Sequence, residues 1–202
     1  TASAGSIEAA ANAPHAAMLT NLVAQLTAQF TRQPDAADLA AQLVIALAAG
    51  PDTADPLKRA GLETLARELK PAAAPAWSDE LRGAFKSLFA EQSAIASAAL
   101  PLAVRWDTQG ALKGEVKTLV ISLLAKLKEA SRPDDTRAHL LASLIASRAA
   151  SADILPAVTN LLGGDNSVVL QRKALEALGA TADPAVGKLF AGALPRLAPA
   201  LQ

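Results

Sequence analysis

The chain has no cysteine, no tyrosine and a single methionine, and its aromatic residues are two Trp and four Phe among 202 positions. Without cysteine it holds no disulfide framework, no thiolate metal site, no Cys nucleophile and no covalently attached c-type haem. Charge of one sign is lacking too: 19 basic and 19 acidic residues cancel, which argues against general nucleic-acid binding. No segment alternates with period two over a useful length, and β-branched residues are scattered, so a sheet has little to build on. The longest uncharged run, Ala9 to Thr31, is interrupted by Asn12, His15, Asn21, Gln25 and Gln29. The next two, Leu39 to Pro51 and Gln92 to Val104, are too short to cross a bilayer, so no membrane span is expected. No basic segment precedes an apolar core at the N-terminus, so no signal peptide is visible. A chain that begins at Thr1 and not Met is expected to be a processed or excised piece, with any export signal already missing.

What the chain does have is alanine and leucine, 50 and 32 residues, within an apolar content of 51%. The length suits one domain able to bury roughly 70% of its unfolded surface. Helical spacing runs through nearly every segment. Leu19, Leu22, Val23, Leu26 and Phe30 form one apolar stripe. Ile154, Leu155, Val158, Leu161 and Leu162 form another, and Val186, Leu189, Phe190, Ala193, Leu194 and Leu197 a third. Asp55-Pro56 and Asp183-Pro184 read as N-cap followed by first helical residue. Asp134 after Pro133, and Ser78 before Asp79-Glu80, read as further starts. Gly50, Gly163-Gly164 and Gly179 read as stops closed by a left-handed residue. The stretch from Lys70 to Trp77, with Pro71 and Pro75, is the longest breaker.

These marks predict about ten helices over 14–31, 35–49, 55–69, 78–91, 92–106, 110–130, 134–149, 151–163, 166–179 and 183–198. Pro101 is expected to kink or split the fifth, and Pro195 to disturb the end of the tenth. Taken in pairs, the helices start at about 14, 55, 92, 134 and 166, a mean step of roughly 38 residues, in the range of helix-pair solenoids. One internal match supports the period. Leu57, Arg59, Leu62, Glu63, Leu65 and Pro71 align with Leu170, Arg172, Leu175, Glu176, Leu178 and Pro184. A lone pair cannot cover its own apolar stripe, whereas stacked pairs bury a continuous ribbon. The expected fold is therefore all-α, an α–α superhelix of about five antiparallel pairs. Residues 1–12 are expected as an N-terminal tail or edge and 13–202 as a single repeat domain. The rival all-α arrangement is a compact ten-helix globule.

The run from Asp165 to Gly179, DNSVVLQRKALEALG, has an Asp-containing turn, a Val/Leu-x-Arg step and then Ala-Leu-x-x-Leu-Gly. It resembles the first helix of a HEAT repeat, and Ile154 to Leu162 resembles a HEAT second helix. The longer run from Ala98 to Gln202, including Leu100 to Asp107 and Asp183 to Gly187, resembles the repeat segment of large exported planctomycete-type bacterial dehydrogenases. In those proteins a sugar-dehydrogenase-like β-propeller precedes the repeats and a cytochrome c domain follows. Neither a propeller nor a Cys-x-x-Cys-His lies in these residues, so redox activity does not carry over. The resemblance implies a periplasmic or exported location, with flanking domains of the same polypeptide or another protein as partner.

Chemical candidates all have a plainer reading. Asp135 and His139 share a helix face, as two metal ligands would, but His15 is far away in sequence and no third ligand is in place. Asp134-Asp135 and Asp52/Asp55 are the closest carboxylate pairs, and helix-start capping explains both. Lys113, Lys117, Lys126 and Lys128 crowd one helix without interleaved aromatics, which reads as a solvated face. Trp77 and Trp106 read as plugs at helix–loop junctions and not as binding hot spots. Arg59 and Arg172, at equivalent repeat positions, are expected to bond a nearby acid such as Asp55 or Asp165, because HEAT-like stacks commonly use such an Arg. No phosphate loop, nucleophile elbow or Ser/His/Asp set is present. No catalytic, cofactor-binding or metal residue and no cofactor is expected. The expectation is a non-catalytic scaffold or protein-interaction module. The alternative is a helical-repeat enzyme, bilin lyase-like or DNA glycosylase-like, with a buried carboxylate in a concave groove near Trp106 or His139.

Overall fold

In the computed structural model, residues 3–51, 54–90, 94–163, 166–181 and 184–197 are described, and among them there is no strand. Ten α-helices follow in order: α1 Ser3–Phe30, α2 Ala36–Ala49, α3 Asp55–Glu68, α4 Asp79–Ala90, α5 Ala94–Trp106, α6 Lys113–Lys128, α7 Asp134–Ala146, α8 Ile154–Asn160, α9 Val168–Gly179 and α10 Pro184–Ala193. Short 3-10 turns follow α7 at Arg148–Ala150 and α10 at Leu194–Arg196. The chain divides into two compact units, Thr1–Ala111 and Leu112–Gln202.

Most expected helices appear within a few residues of their expected bounds, because Pro, Gly and small polar residues interrupt the apolar spacing where the backbone turns. Three expectations are corrected. The first helix begins at Ser3, well before 14. Pro101 does not split α5, which runs on to Trp106. Residues 95–103 of α5 are buried throughout, and packing against α3 and α4 holds the helix together across the missing N–H. Pro195 does lie in the turn that ends α10.

The third correction concerns helix stops. Among the described glycines only Gly110 has a positive φ, 74°. Gly50 caps α2 in an extended conformation, and Gly179 is the last helical residue of α9, capped by a right-handed Ala180. Gly164 lies outside the described residues. Free carbonyls at a helix end need donors, and here local groups supply them without a left-handed residue: the Gly50 amide donates to Leu47, and the Ala180 amide and Thr181 hydroxyl donate to Glu176 and Leu178.

In the first unit, α1 and α5 both pack on α3, and α2 packs on α4. α3 buries Lys58, Ala60, Gly61, Leu62, Thr64 and Leu65. Gly61 is a point of close approach: a Cβ there would meet Leu47 Cδ1 at 3.1 Å and Val23 Cγ1 at 3.6 Å, so α1 and α2 both rest on bare backbone. In the second unit α7 packs on α6, α8 and α9, and α8 packs on α10. Alternate helices thus lie side by side within each unit: α1 with α3, α3 with α5, α2 with α4, α7 with α9 and α8 with α10.

Candidate functional site

Buried polar residues are the first place to look for chemistry, since an interior polar group needs a reason to be there. Helices α3, α5, α7 and α9 each carry one at the fourth position: Lys58, Ser97, Arg137 and Gln171. All four are 5% exposed or less. Three of them reach the end of the preceding helix or the turn beyond it. Arg137 Nε donates to the Leu127 carbonyl of α6 at 3.0 Å. Gln171 Nε2 donates to the carbonyls of Gly163 and Asn166, at 3.1 and 2.9 Å, in the turn after α8. Lys58 brings its Cε to 3.5 Å from where a Cβ on Gly50 would stand, at the carbonyl end of α2. A cation there meets the negative end of the helix dipole.

Around Arg137 this becomes a network. Its Nη2 donates to Asn166 Oδ1 at 3.0 Å, and its Nη1 lies 3.6 Å from Asp134 Oδ1. Ser167 Oγ donates to Asp134 Oδ2 and accepts from the Leu170 amide, capping α9. Asp134 is therefore a structural carboxylate, tied to the starts of α7 and α9. In the first unit Arg105 does related work: Nη1 and Nη2 donate to the carbonyls of Leu69 and Ala66 at 3.0 and 2.8 Å, closing α3. Burial pulls the Arg105 guanidinium below its ordinary value. Buried hydroxyls turn back on their own helices: Thr31 to Ala28, Ser147 to Ser143 and Thr159 to Leu155.

The expected ladder residues sit one position too late. Arg59 is half-exposed, with Nε 3.8 Å from Glu63 of its own helix. Arg172 is exposed. Asp165 lies outside the described residues, as do Asp52 and Asp183. Their predecessors, Lys58 and Gln171, are the buried pair, and what they reach is the end of the preceding helix and not an acid. His15, Asp135 and His139 are all exposed, and no group of three His, Cys, Asp or Glu that could hold a metal occurs among the described residues. Lys113, Lys117 and Lys128 are exposed on α6.

The two tryptophans meet in one aromatic cluster. Trp77 stacks on Phe85 with ring centres 5.9 Å apart, and Trp106 meets the same Phe85 edge-on at 5.9 Å. Phe89 lies tilted beside it at 6.1 Å. The cluster fastens the Lys70–Trp77 stretch to α4 and α5. Both indole N–H groups are buried without a hydrogen-bond partner.

Recesses open at the surface among the described residues. One, of about 170 Å³, is lined by Asp55, Pro56, Arg59 and Ile95, and Asp55 Oδ1 is buried there without a partner. Another, of about 390 Å³, is lined by Ala146, Arg148, Ala149, Ser151, Ala152 and Leu155. Each offers a single guanidinium, and neither set of lining residues pairs a nucleophile with a base.

The surface feature that sequence reading missed is on α1. The stripe of Leu19, Leu22, Leu26 and Phe30 is the helix's most apolar face, yet each of these is 43–49% exposed and Met18 is 63% exposed. Of the predicted stripe, Val23 turns toward Gly61 of α3. The buried face is instead the smaller one, with Thr27 and Thr31 2% and 7% exposed. Small residues let helix axes approach closely, and that outweighed bulk. The available signal was the lack of any charge from Ala9 to Thr31: an ordinary surface helix sets charges opposite its apolar stripe, and this one has none.

Comparison with protein families, curated proteins and solved structures finds no match to any of the three. No described helix is long and apolar enough to cross a membrane.

Proposed function

We propose that the chain is a non-catalytic helical-repeat scaffold, a HEAT-like α–α superhelix that holds a protein partner or neighbouring domains. The observation that carries this reading is the recurrent buried polar residue at position four of α3, α5, α7 and α9. In α3, α7 and α9 that side chain reaches the end of the helix before it or the turn beyond, which fixes the angle within a pair, and pairs fixed alike stack alike. Polar groups consumed in this way serve geometry and are withdrawn from chemistry. The sequence resemblance adds a setting: one segment of a larger exported oxidoreductase-like protein, spacing a catalytic propeller and a haem domain.

The experiment is twofold. The purified chain, assayed with aldose sugars and an artificial electron acceptor, should show no turnover; sugar oxidation by the chain alone overturns the reading. The coding sequence on either side of Thr1 and Gln202 should encode a β-propeller upstream and a Cys-x-x-Cys-His segment downstream. Start and stop signals directly at the ends would remove the multidomain setting and leave the scaffold reading to stand on its repeats.

A further inference from the structure

We infer that the outward face of α1 is a self-association surface, and that its occupant is α1 of a second copy of this chain, packed antiparallel. The face consists of Met18, Leu19, Leu22, Leu26 and Phe30, all between 43% and 63% exposed. It runs about 18 Å along a helix that spans Ser3–Phe30. The opposite face is already used, with Val23 against Gly61 of α3 and Thr27 buried.

Chemistry selects the occupant. Leu19, Leu22 and Leu26 are spaced by three and four, the seam of a helix–helix pair. A lipid surface is a poor match, because interfacial helices flank their apolar face with Lys and Arg, and there is no charge between Ala9 and Thr31. A charged groove would find nothing there to pair with. A neutral helix with an apolar seam fits, and α1 is such a helix. Antiparallel packing opposes the two helix dipoles. A two-fold axis near Ala24 sets Leu22 of each copy against Leu26 of the other, giving an isologous contact.

Area sets the strength. From the exposed fractions the face offers roughly 450 Å² of apolar surface per copy, within the range of functional patches. Two copies would bury about 900 Å², just under the ~1,000–1,200 Å² where specific interfaces begin. An area at that margin makes the dimer a weak, transient one. This inference stands apart from the scaffold reading, since it needs only α1.

The test is sedimentation velocity with light scattering on the full chain from about 5 μM to 1 mM. The expected result is a mass rising from monomer toward dimer across that range. Leu22→Glu should weaken association at least about tenfold, while Leu22→Met should preserve it. Circular dichroism and the thermal midpoint establish that each variant is folded. If Leu22→Glu does not fold, Gln25→Cys in this cysteine-free chain takes its place. It sits beside the two-fold axis and should form a disulfide-linked dimer under mild oxidation, whereas Lys117→Cys should not. A wild-type chain that stays monomeric throughout, a dimer undiminished in the folded Leu22→Glu variant, or a monomer that instead binds phosphatidylcholine vesicles overturns the inference.

Discussion

Arg137 Nε donates to the Leu127 carbonyl at 3.0 Å, so a side chain from the first turn of α7 closes the open end of α6. The guanidinium is buried, and its remaining nitrogens are taken by Asn166 and Asp134. Removing one member of such a buried network leaves the others short of partners. Arg137→Ala should lower unfolding stability by about 3 kcal/mol. Asp134→Ala should cost about 1 kcal/mol, because that carboxylate is 35% exposed and water replaces the lost bonds. Urea denaturation followed by circular dichroism measures both. Equal losses would show that Arg137 does not carry the junction.

Gln171 and Arg172 are neighbours in sequence with opposite fates. Gln171 is fully buried and satisfies two carbonyls, whereas Arg172 is exposed. Gln171→Ala should cost about 1–3 kcal/mol by orphaning the Gly163 and Asn166 carbonyls. Arg172→Ala should stay within about 0.5 kcal/mol. Chemical denaturation of the two variants side by side decides which residue serves the repeat.

That contrast shows where sequence reading ends. The correspondence of residues 57–71 with 170–184 was legible, and it places Lys58 opposite Gln171 without requiring them to be identical. Matching by identity selected the Arg59/Arg172 pair, which faces outward. The inward pair differs in residue type because the shared demand is for a donor long enough to reach a helix end, and Lys, Arg and Gln all meet it. Helix bounds were legible for a similar reason, since Pro and Gly act on the local backbone. The orientation of α1 was not legible. Its bulky and its small faces both suit packing, and the choice between them depends on Gly61 of α3, far away in sequence.

Gly110 is the one described glycine with a left-handed backbone, φ 74°. It closes a turn in which the Ala111 amide donates to Asp107 Oδ1 at 2.8 Å. Gly110→Ala should lower stability by about 1–2 kcal/mol, because an L side chain clashes with its own carbonyl in that conformation. Gly83 and Gly114 have open space around them and negative φ, so alanine there should be neutral or stabilising. Thermal unfolding of the three variants provides the comparison.

Arg105 supplies a pH prediction. Burial favours the neutral guanidine in the folded state, so there the proton is held less tightly than in the unfolded chain. Stability linked to this group therefore rises with pH, but only in the alkaline window just below the ordinary guanidinium value. From about pH 5 to 9 the group is charged in both states. Arg105→Met should lower stability by a constant amount over that range through loss of the Leu69 and Ala66 bonds, without changing the pH profile. Urea midpoints at several pH values test it, and a slope that appears only in the variant would contradict it.

Small-angle X-ray scattering of the full chain tests the proposed superhelix most directly. A compact ball of this length has a radius of gyration of about 16–17 Å. Helix pairs added one beside another in a superhelix should give more than about 20 Å, with a distance distribution skewed to long vectors. A value near 16 Å with a symmetric distribution would contradict the account.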